Sequence, residues 1–212
     1  MRLMMQPVTL DGKGILDDIS FVISAVLPLF RFEEQKTQIN QPIVQVPRHV
    51  FNSARQQYRS DRLLSWLEQT LKLSNNIKLV ALCNFDAYFG NYNFCFGHAI
   101  IGGSVAAVYL QRLLPHSYTD GDDRLRDLFQ NRLIKEVVHE LGHTFGLRHC
   151  FRNSCVMHKS KSINDTDNKN EKFCNICSNS FGLHPKSLDH SQKHNAGYCR
   201  NNSVRPIMIN TE

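Results

Sequence analysis

The chain has 212 residues, of which 42% are hydrophobic and 21% charged, with a formal net charge of +6. That length suits one packed domain with a small satellite at most, and the composition is that of an ordinary globular protein, not a disordered or fibrous one. Lys and Arg never run longer than two and aromatics do not alternate with them. The positive balance therefore reads as a solvated surface that favours acidic partners, and no nucleic-acid partner is expected.

In chain order, Leu3 to Leu10 is an apolar segment suited to a first strand and Ile19 to Val26 to an early buried element, with Leu10-Asp11-Gly12-Lys13-Gly14 as a turn between them. The longest apolar run, Ile19 to Phe30, is too short to span a bilayer and contains Ser20, Ser24 and Pro28. It follows Asp17-Asp18, not a basic segment, so it makes a poor secretory signal as well. No membrane association is expected, and the default location is cytoplasmic or nuclear. Glu33 to Gln41 reads as a polar loop, and the β-branched alternation of Ile43-Val44-Gln45-Val46 as a second strand. Ser60-Asp61 is placed to cap a helix whose Leu63, Leu64, Trp66, Leu67 and Leu71 share a face, and Asn75-Asn76 to end it.

Ile77 to Cys83 is then a strongly apolar strand, followed by a polar turn from Asn84 to Asn91. Asn93 to Ile101 and Ser104 to Leu110 are β-like and join at Gly102-Gly103, which suits a hairpin. One of these two strands is expected to be an exposed sheet edge, able to accept an extended peptide as a further strand. A long helix is expected to start near Asp120 to Asp123, where carboxylates favour the positive helix end. Its Ile134, Val137, Val138, Leu141 and Phe145 lie opposite His139 and His143, so burying the five would turn both imidazoles toward a cleft. Lys159 to Lys172 is polar with little to pack, and the chain stays mainly polar beyond Cys177.

The chemistry concentrates in His139-Glu140-Leu141-Gly142-His143-Thr144-Phe145-Gly146-Leu147-Arg148-His149. Positions i and i+4 of a helix lie on one face, so His139 and His143 can point a ring nitrogen at one metal ion. Gly146 can take φ > 0 and end the helix, letting the chain turn back to deliver His149. Three histidines leave the fourth position of a tetrahedral zinc open, the mark of a catalytic site. Glu140 is badly placed as a ligand and well placed as the base that takes a proton from the attacking water. A bare HExxH arises by chance in about one or two such chains per hundred, and the added Gly and His make accident far rarer.

Immediately downstream, Cys150, Cys155, Cys174 and Cys177 form two pairs separated by a loop, the pattern of a closed, four-thiolate structural zinc site. The total of seven Cys is odd, and no secretory signal is visible, which argues against disulfides. Cys83, Cys95 and Cys199 lack partners at metal spacing and read as free thiols, and His158, His184, His190 and His194 as surface residues. His98, beside the expected edge strand, reads more readily as a satisfied structural histidine than as part of a substrate cleft.

Together these residues resemble the archaemetzincins, a family of zinc metallopeptidases that join the long zinc motif to a Cys-x4-Cys-x-Met segment and a distal Cys-x2-Cys. The match runs through His139-Glu140, His143, Gly146, His149, Cys150, Cys155, Met157, Cys174 and Cys177, with the loop after the methionine one residue shorter here. Asn93-Phe94-Cys95-Phe96-Gly97-His98-Ala99, Val108-Tyr109-Leu110-Gln111-Arg112-Leu113 and Thr166-Asp167-Asn168-Lys169 are similar too. The resemblance is strong over roughly residues 93 to 177, looser before and slight after. It implies an α/β fold of metzincin type, a mixed β-sheet with an active-site helix, and a small zinc-stapled C-terminal subdomain. It also implies that Met157 forms an apolar floor under the zinc ligands.

The expected protein is thus a monomeric zinc metallopeptidase with two zinc ions per chain, one catalytic and one structural, acting on a peptide or protein substrate. The expected organisation is a single domain: residues 1–146 ending in the active-site helix, 147–182 stapled by zinc, and 183–212 as a polar tail. An aminopeptidase preference would require a carboxylate for the free amine, and no residue is assigned to that task. The competing class is a non-catalytic, zinc-organised protein-binding module, in which Glu140 would have no task. Hydrolysis of a non-peptide amide uses the same zinc chemistry.

Overall fold

In the computed structural model, the described residues are 1–10, 16–30, 32, 34, 37–43, 45–74, 76–119 and 121–180. The expected turn at 11–14, the polar tail 183–212 and Cys199, His184, His190 and His194 lie outside them. The strands are β1 (Arg2–Val8), β2 (Gln38–Ile39), β3 (Phe51–Asn52), β4 (Gln57–Arg59), β5 (Ile77–Cys83), β6 (Ala87–Tyr88), β7 (Gly97–Ala99) and β8 (Val105–Tyr109). The helices are α1 (Leu16–Phe30), α2 (Ser60–Leu71), α3 (Asp123–Thr144), α4 (Ile163–Asn168) and α5 (Asn175–Ser180), and short 3-10 turns occupy Arg48–Val50 and Leu110–Arg112.

The main sheet has the order β2-β1-β5-β8-β7, parallel except for β7, which pairs antiparallel with β8. A small second sheet runs β3-β4-β6. Side-chain alternation sorts the core into two layers. Leu3, Met5, Val80, Leu82, Ala106 and Val108 face α1 and α3, whereas Leu79, Ala81, Cys83, Val105, Ala107 and Tyr109 face α2. Helices on both faces explain why β8 is apolar throughout and β5 apolar except for Lys78, as buried parallel strands are.

Several elements depart from expectation. The early buried element at Ile19 to Val26 is the core stretch of a helix, α1, which runs on to Phe30. The stretch expected as a polar loop contains β2, a two-residue strand beside β1, while Ile43 makes only an isolated bridge to Val8. The turn after β5 holds β6, because Ala87-Tyr88 pairs with Tyr58-Arg59. Helix α2 stops at Lys72, which is left-handed with φ 43°, ahead of the asparagines. Ser60 is the first helical residue of α2, and its hydroxyl makes no capping bond. The stretch from 159 to 172 folds over α3 through α4, whose Ser162–Asp165 capping box fixes its start. Arg132 grips Asp167 with two 2.7 Å bonds, and Lys135 donates to the Thr166 and Asp167 carbonyls. No helix among the described residues is long and apolar enough to cross a membrane.

Candidate metal centre and cleft

Helix α3 carries the site. Its N-cap, Asp122, accepts from the Arg124 and Leu125 amides, and Leu133, Val137, Val138 and Leu141 bury its inner face. The helix closes at Phe145, and Gly146 turns the chain at φ 90°, as its place in the motif requires. Lys78, buried in β5, donates to the carbonyls of Gly103 and Thr144, fastening the helix end to the β7–β8 hairpin.

His139, His143 and His149 converge, with one nitrogen from each lying within 4.8 Å of the others. His139 Nδ1 lies 2.7 Å from the Val156 carbonyl and His143 Nδ1 2.7 Å from that of Leu147. A carbonyl only accepts, so each Nδ1 carries the hydrogen and each Nε2 presents a bare lone pair. Those two Nε2 atoms face each other at 3.1 Å. Two acceptors so close repel unless a cation lies between them, and neutral imidazole is the ligand form for zinc. Burial lowers the His139 ring well below its ordinary pKa and His143 to about 4; His149, the most exposed, is lowered to about 3 by partial burial and then by His143. The donor set fits zinc.

Glu140 is almost fully buried, and its Oε2 has no hydrogen-bond partner among the described residues. Burial pushes its carboxyl well above the ordinary range; Glu136 adds to the rise and Lys169 opposes it. Gly97 of β7 presses on this side chain, since a Cβ there would stand 2.5 Å from Glu140 Cγ and Oε1. Strand β7 ends the main sheet, so one of the two expected strands is an edge among the described residues. A cavity of about 380 Å³ opens beside it, with His98, His139, Glu140, His143, His149 and Lys159 in its wall.

The four thiols of Cys150, Cys155, Cys174 and Cys177 form a second cluster, also within 4.8 Å of one another. The Cys150–Cys174 and Cys155–Cys177 sulfurs are 3.8 Å apart. That is the edge of a tetrahedron whose centre lies about 2.3 Å from each sulfur, the zinc–thiolate distance. The hydrogen bond between the Cys155 and Cys177 sulfurs holds Cys155 down to about 5 and Cys177 up, while burial lifts Cys150 to about 11. All six cysteines among the described residues are free of disulfides. Met157, fully buried, sits against Gly142 of α3, beneath the histidine turn.

A model of peptidase family M54 matches residues 13–182. The chain belongs to that family. It is accordingly a zinc metallopeptidase, a hydrolase acting on peptide or protein substrates, and the resemblance to the archaemetzincins holds. It is 40% identical over 132 residues to archaemetzincin from Saccharolobus solfataricus, spanning 62% of this chain and 69% of that protein. To archaemetzincin from Pyrococcus horikoshii it is 42% identical over 129 residues, spanning 61% and 68%. The crystal structure of archaemetzincin from Archaeoglobus fulgidus superimposes with a TM-score of 0.67 at 30% identity, covering 84% of this chain and 99% of that one. That from Methanopyrus kandleri gives 0.70 at 28% identity, covering 86% and 94%.

One feature of the site escaped the sequence reading. Lys169, fully buried, pairs with Glu136 at 2.8 Å one turn before Glu140, and Thr166 Oγ1 donates to the same carboxylate. A four-residue step from Glu136 to Glu140 on the helix face was the available signal. His98, read more readily as a satisfied structural histidine than as part of a cleft, is bonded at Nδ1 by Ser60 and also stands in the cavity wall, its ring tilted 38° against Phe89 with centroids 4.1 Å apart.

Proposed function

We propose that His139, His143 and His149 hold the catalytic zinc, that Glu140 is the general base, and that Cys150, Cys155, Cys174 and Cys177 hold a second, structural zinc. The observation that carries the reading is the pair of facing, hydrogen-free Nε2 atoms next to a buried carboxylate. Bound among the three rings, zinc supplies Lewis acidity toward a scissile carbonyl and toward water. Glu140 takes a proton from the attacking water and returns it to the departing amine nitrogen. Gly97 keeps the Glu140 carboxylate at the cavity wall by leaving no room for it to swing toward β7. The carbonyls of Val156 and Leu147 hold the rings in register, as outer partners of zinc ligands do. The free side of β7 offers its backbone to an extended peptide. Free thiols throughout the described chain suit a reducing compartment, so the cytoplasm or nucleus is the proposed setting.

The test is a diverse peptide library incubated with the wild-type protein and with Glu140→Ala, read by mass spectrometry alongside zinc content. Wild type should cleave and hold two zinc ions per chain; Glu140→Ala should keep the metal and lose about 10²–10⁴-fold in rate. Equal cleavage by both proteins removes Glu140 from the mechanism. A reproducible single zinc removes the four-cysteine site, and no cleavage by either favours the zinc-organised binding module.

A further inference from the structure

The hydrogens of a partly buried triad decide what His98 offers to the cleft. Strand register places His98 opposite Ala107, on the α2 side of the sheet, while Gly97 faces Val108 and α3. There Tyr109 Oη lies 2.5 Å from Ser60 Oγ, and Ser60 Oγ lies 2.9 Å from His98 Nδ1. Tyr109 is fully buried, and Ser60 Oγ is its hydroxyl's partner. If Ser60 donated to Tyr109, the phenolic hydrogen would be buried without an acceptor. Tyr109 therefore donates to Ser60, and Ser60 passes its own hydrogen to a further neighbour. Two stand close, the His98 Nδ1 lone pair and the Cys95 sulfur. A thiol sulfur is a weak acceptor, and Cys95 is itself turned to the Ala87 carbonyl at 3.6 Å. The imidazole takes the hydrogen.

With Nδ1 used as an acceptor, the neutral ring carries its own hydrogen on Nε2. That nitrogen has no hydrogen-bond partner among the described residues, and half-buried His98 lines the same cavity as Glu140 and His143. The tilted contact with Phe89, centroids 4.1 Å apart, packs against the ring. We infer that His98 donates its Nε2 hydrogen to a carbonyl oxygen of the peptide bound in the cleft, with Ser60 and Tyr109 as the positioning residues that set its tautomer. This rests on the proposed reading of the cavity as the hydrolytic site.

The experiment joins ring spectroscopy to kinetics in the zinc-loaded, full-length protein. Long-range ¹H–¹⁵N correlation on ¹⁵N-histidine protein should show His98 protonated at Nε2. In Ser60→Ala, which removes the donor and leaves the ring, the hydrogen should shift toward Nδ1. His98→Phe keeps an aromatic ring against Phe89 without a donor, and His98→Gln places an amide N–H near the position of Nε2. With a peptide that the wild-type protein cleaves, His98→Phe should lower kcat/KM by about 10–100-fold at unchanged zinc content, and His98→Gln should recover most of it. A wild-type ring protonated at Nδ1, or Phe and Gln variants equally active or equally impaired, overturns the inference. Glu140→Ala, run in parallel, separates the two failures: if it still cleaves, the reading of the site falls; if it is dead while His98→Phe is unimpaired, only the role of His98 falls.

Discussion

His149 and Cys150 are neighbours in the chain, yet they belong to two candidate ligand clusters of opposite design. The histidine cluster gathers three nitrogens at the wall of a cavity of about 380 Å³ and sets an unpartnered carboxylate oxygen beside them. The cysteine cluster gathers four sulfurs, three of them on buried residues, wrapped by backbone bonds from Cys150 to Met157, Val156 to Lys172 and Cys174 to the Cys155 sulfur. A donor count one short of a tetrahedron, with space beside it, suits reaction; a full tetrahedron without space suits only holding. The two are also joined, because Val156, between Cys155 and Met157, supplies the carbonyl that orients His139. On this geometry the cysteine site is part of the scaffold of the histidine site.

The sharpest way to break that comparison is to remove one ligand from each cluster. Cys174→Ser should lower the melting temperature by more than about 10 °C, since the proposed structural zinc would contribute several kcal/mol to the segment that it ties. His143→Ala should abolish hydrolysis with a much smaller loss of stability. If thermal melts show the histidine variant to be the less stable, the division of labour is wrong. Next in size is the buried ion pair behind the cleft. Lys169→Met leaves Glu136 buried without its partner and should cost about 3–5 kcal/mol in urea unfolding, and adding Glu136→Gln should restore most of it. Additive losses in the double variant would show that the pair is not a unit.

Gly97→Ala tests the reactive side alone. The added methyl must displace Glu140, and a shift of about 1 Å in a catalytic group can cost about 100-fold in kcat, with zinc content and melting temperature nearly unchanged. Full activity would mean that the carboxylate has freedom the packing denies it. The smallest effect concerns the loop that carries the cleft wall. Burial alone would raise the Asp86 carboxyl, but bonds from the Arg112 guanidinium and the Gln57 amide outweigh it and hold Asp86 below its ordinary value. A carboxylate lowered in the folded state adds stability above its unfolded pKa of about 3.9, and that stability fades as pH falls through the lower folded value. Asp86→Asn should therefore flatten the acid limb of the stability curve by at most about 1 kcal/mol, because Arg112 is 40% exposed. An unchanged acid limb would make the pair decorative.

Long, regular elements were legible in advance. Strand β5 occupies Ile77–Cys83 as its apolar run indicates, and α3 starts one residue after the capping Asp122. The misses share one cause. Strands β2 and β6 are two residues long and exist because β1 and β4 lie beside them, which no local pattern records. Lys169 carried no local sign of its burial, because its partner lies 33 positions away on α3. Ser60 looked like a cap, and tertiary packing turned its hydroxyl to His98 and Tyr109 instead.

Taken alone, the sequence determined the candidate ligand types, their spacing, the glycine that ends α3 and the family to which the chain belongs. These are properties of covalent order and of helix geometry, which repeat every few residues. Only the tertiary structure decided which carbonyls steer the rings, that Gly97 confines Glu140, that Lys169 lies buried behind the site and that His98 reaches the cleft. Each of those depends on chain segments far apart in order and packed to within a bond's reach, where a backbone position with no side chain or a single hydrogen can settle the outcome.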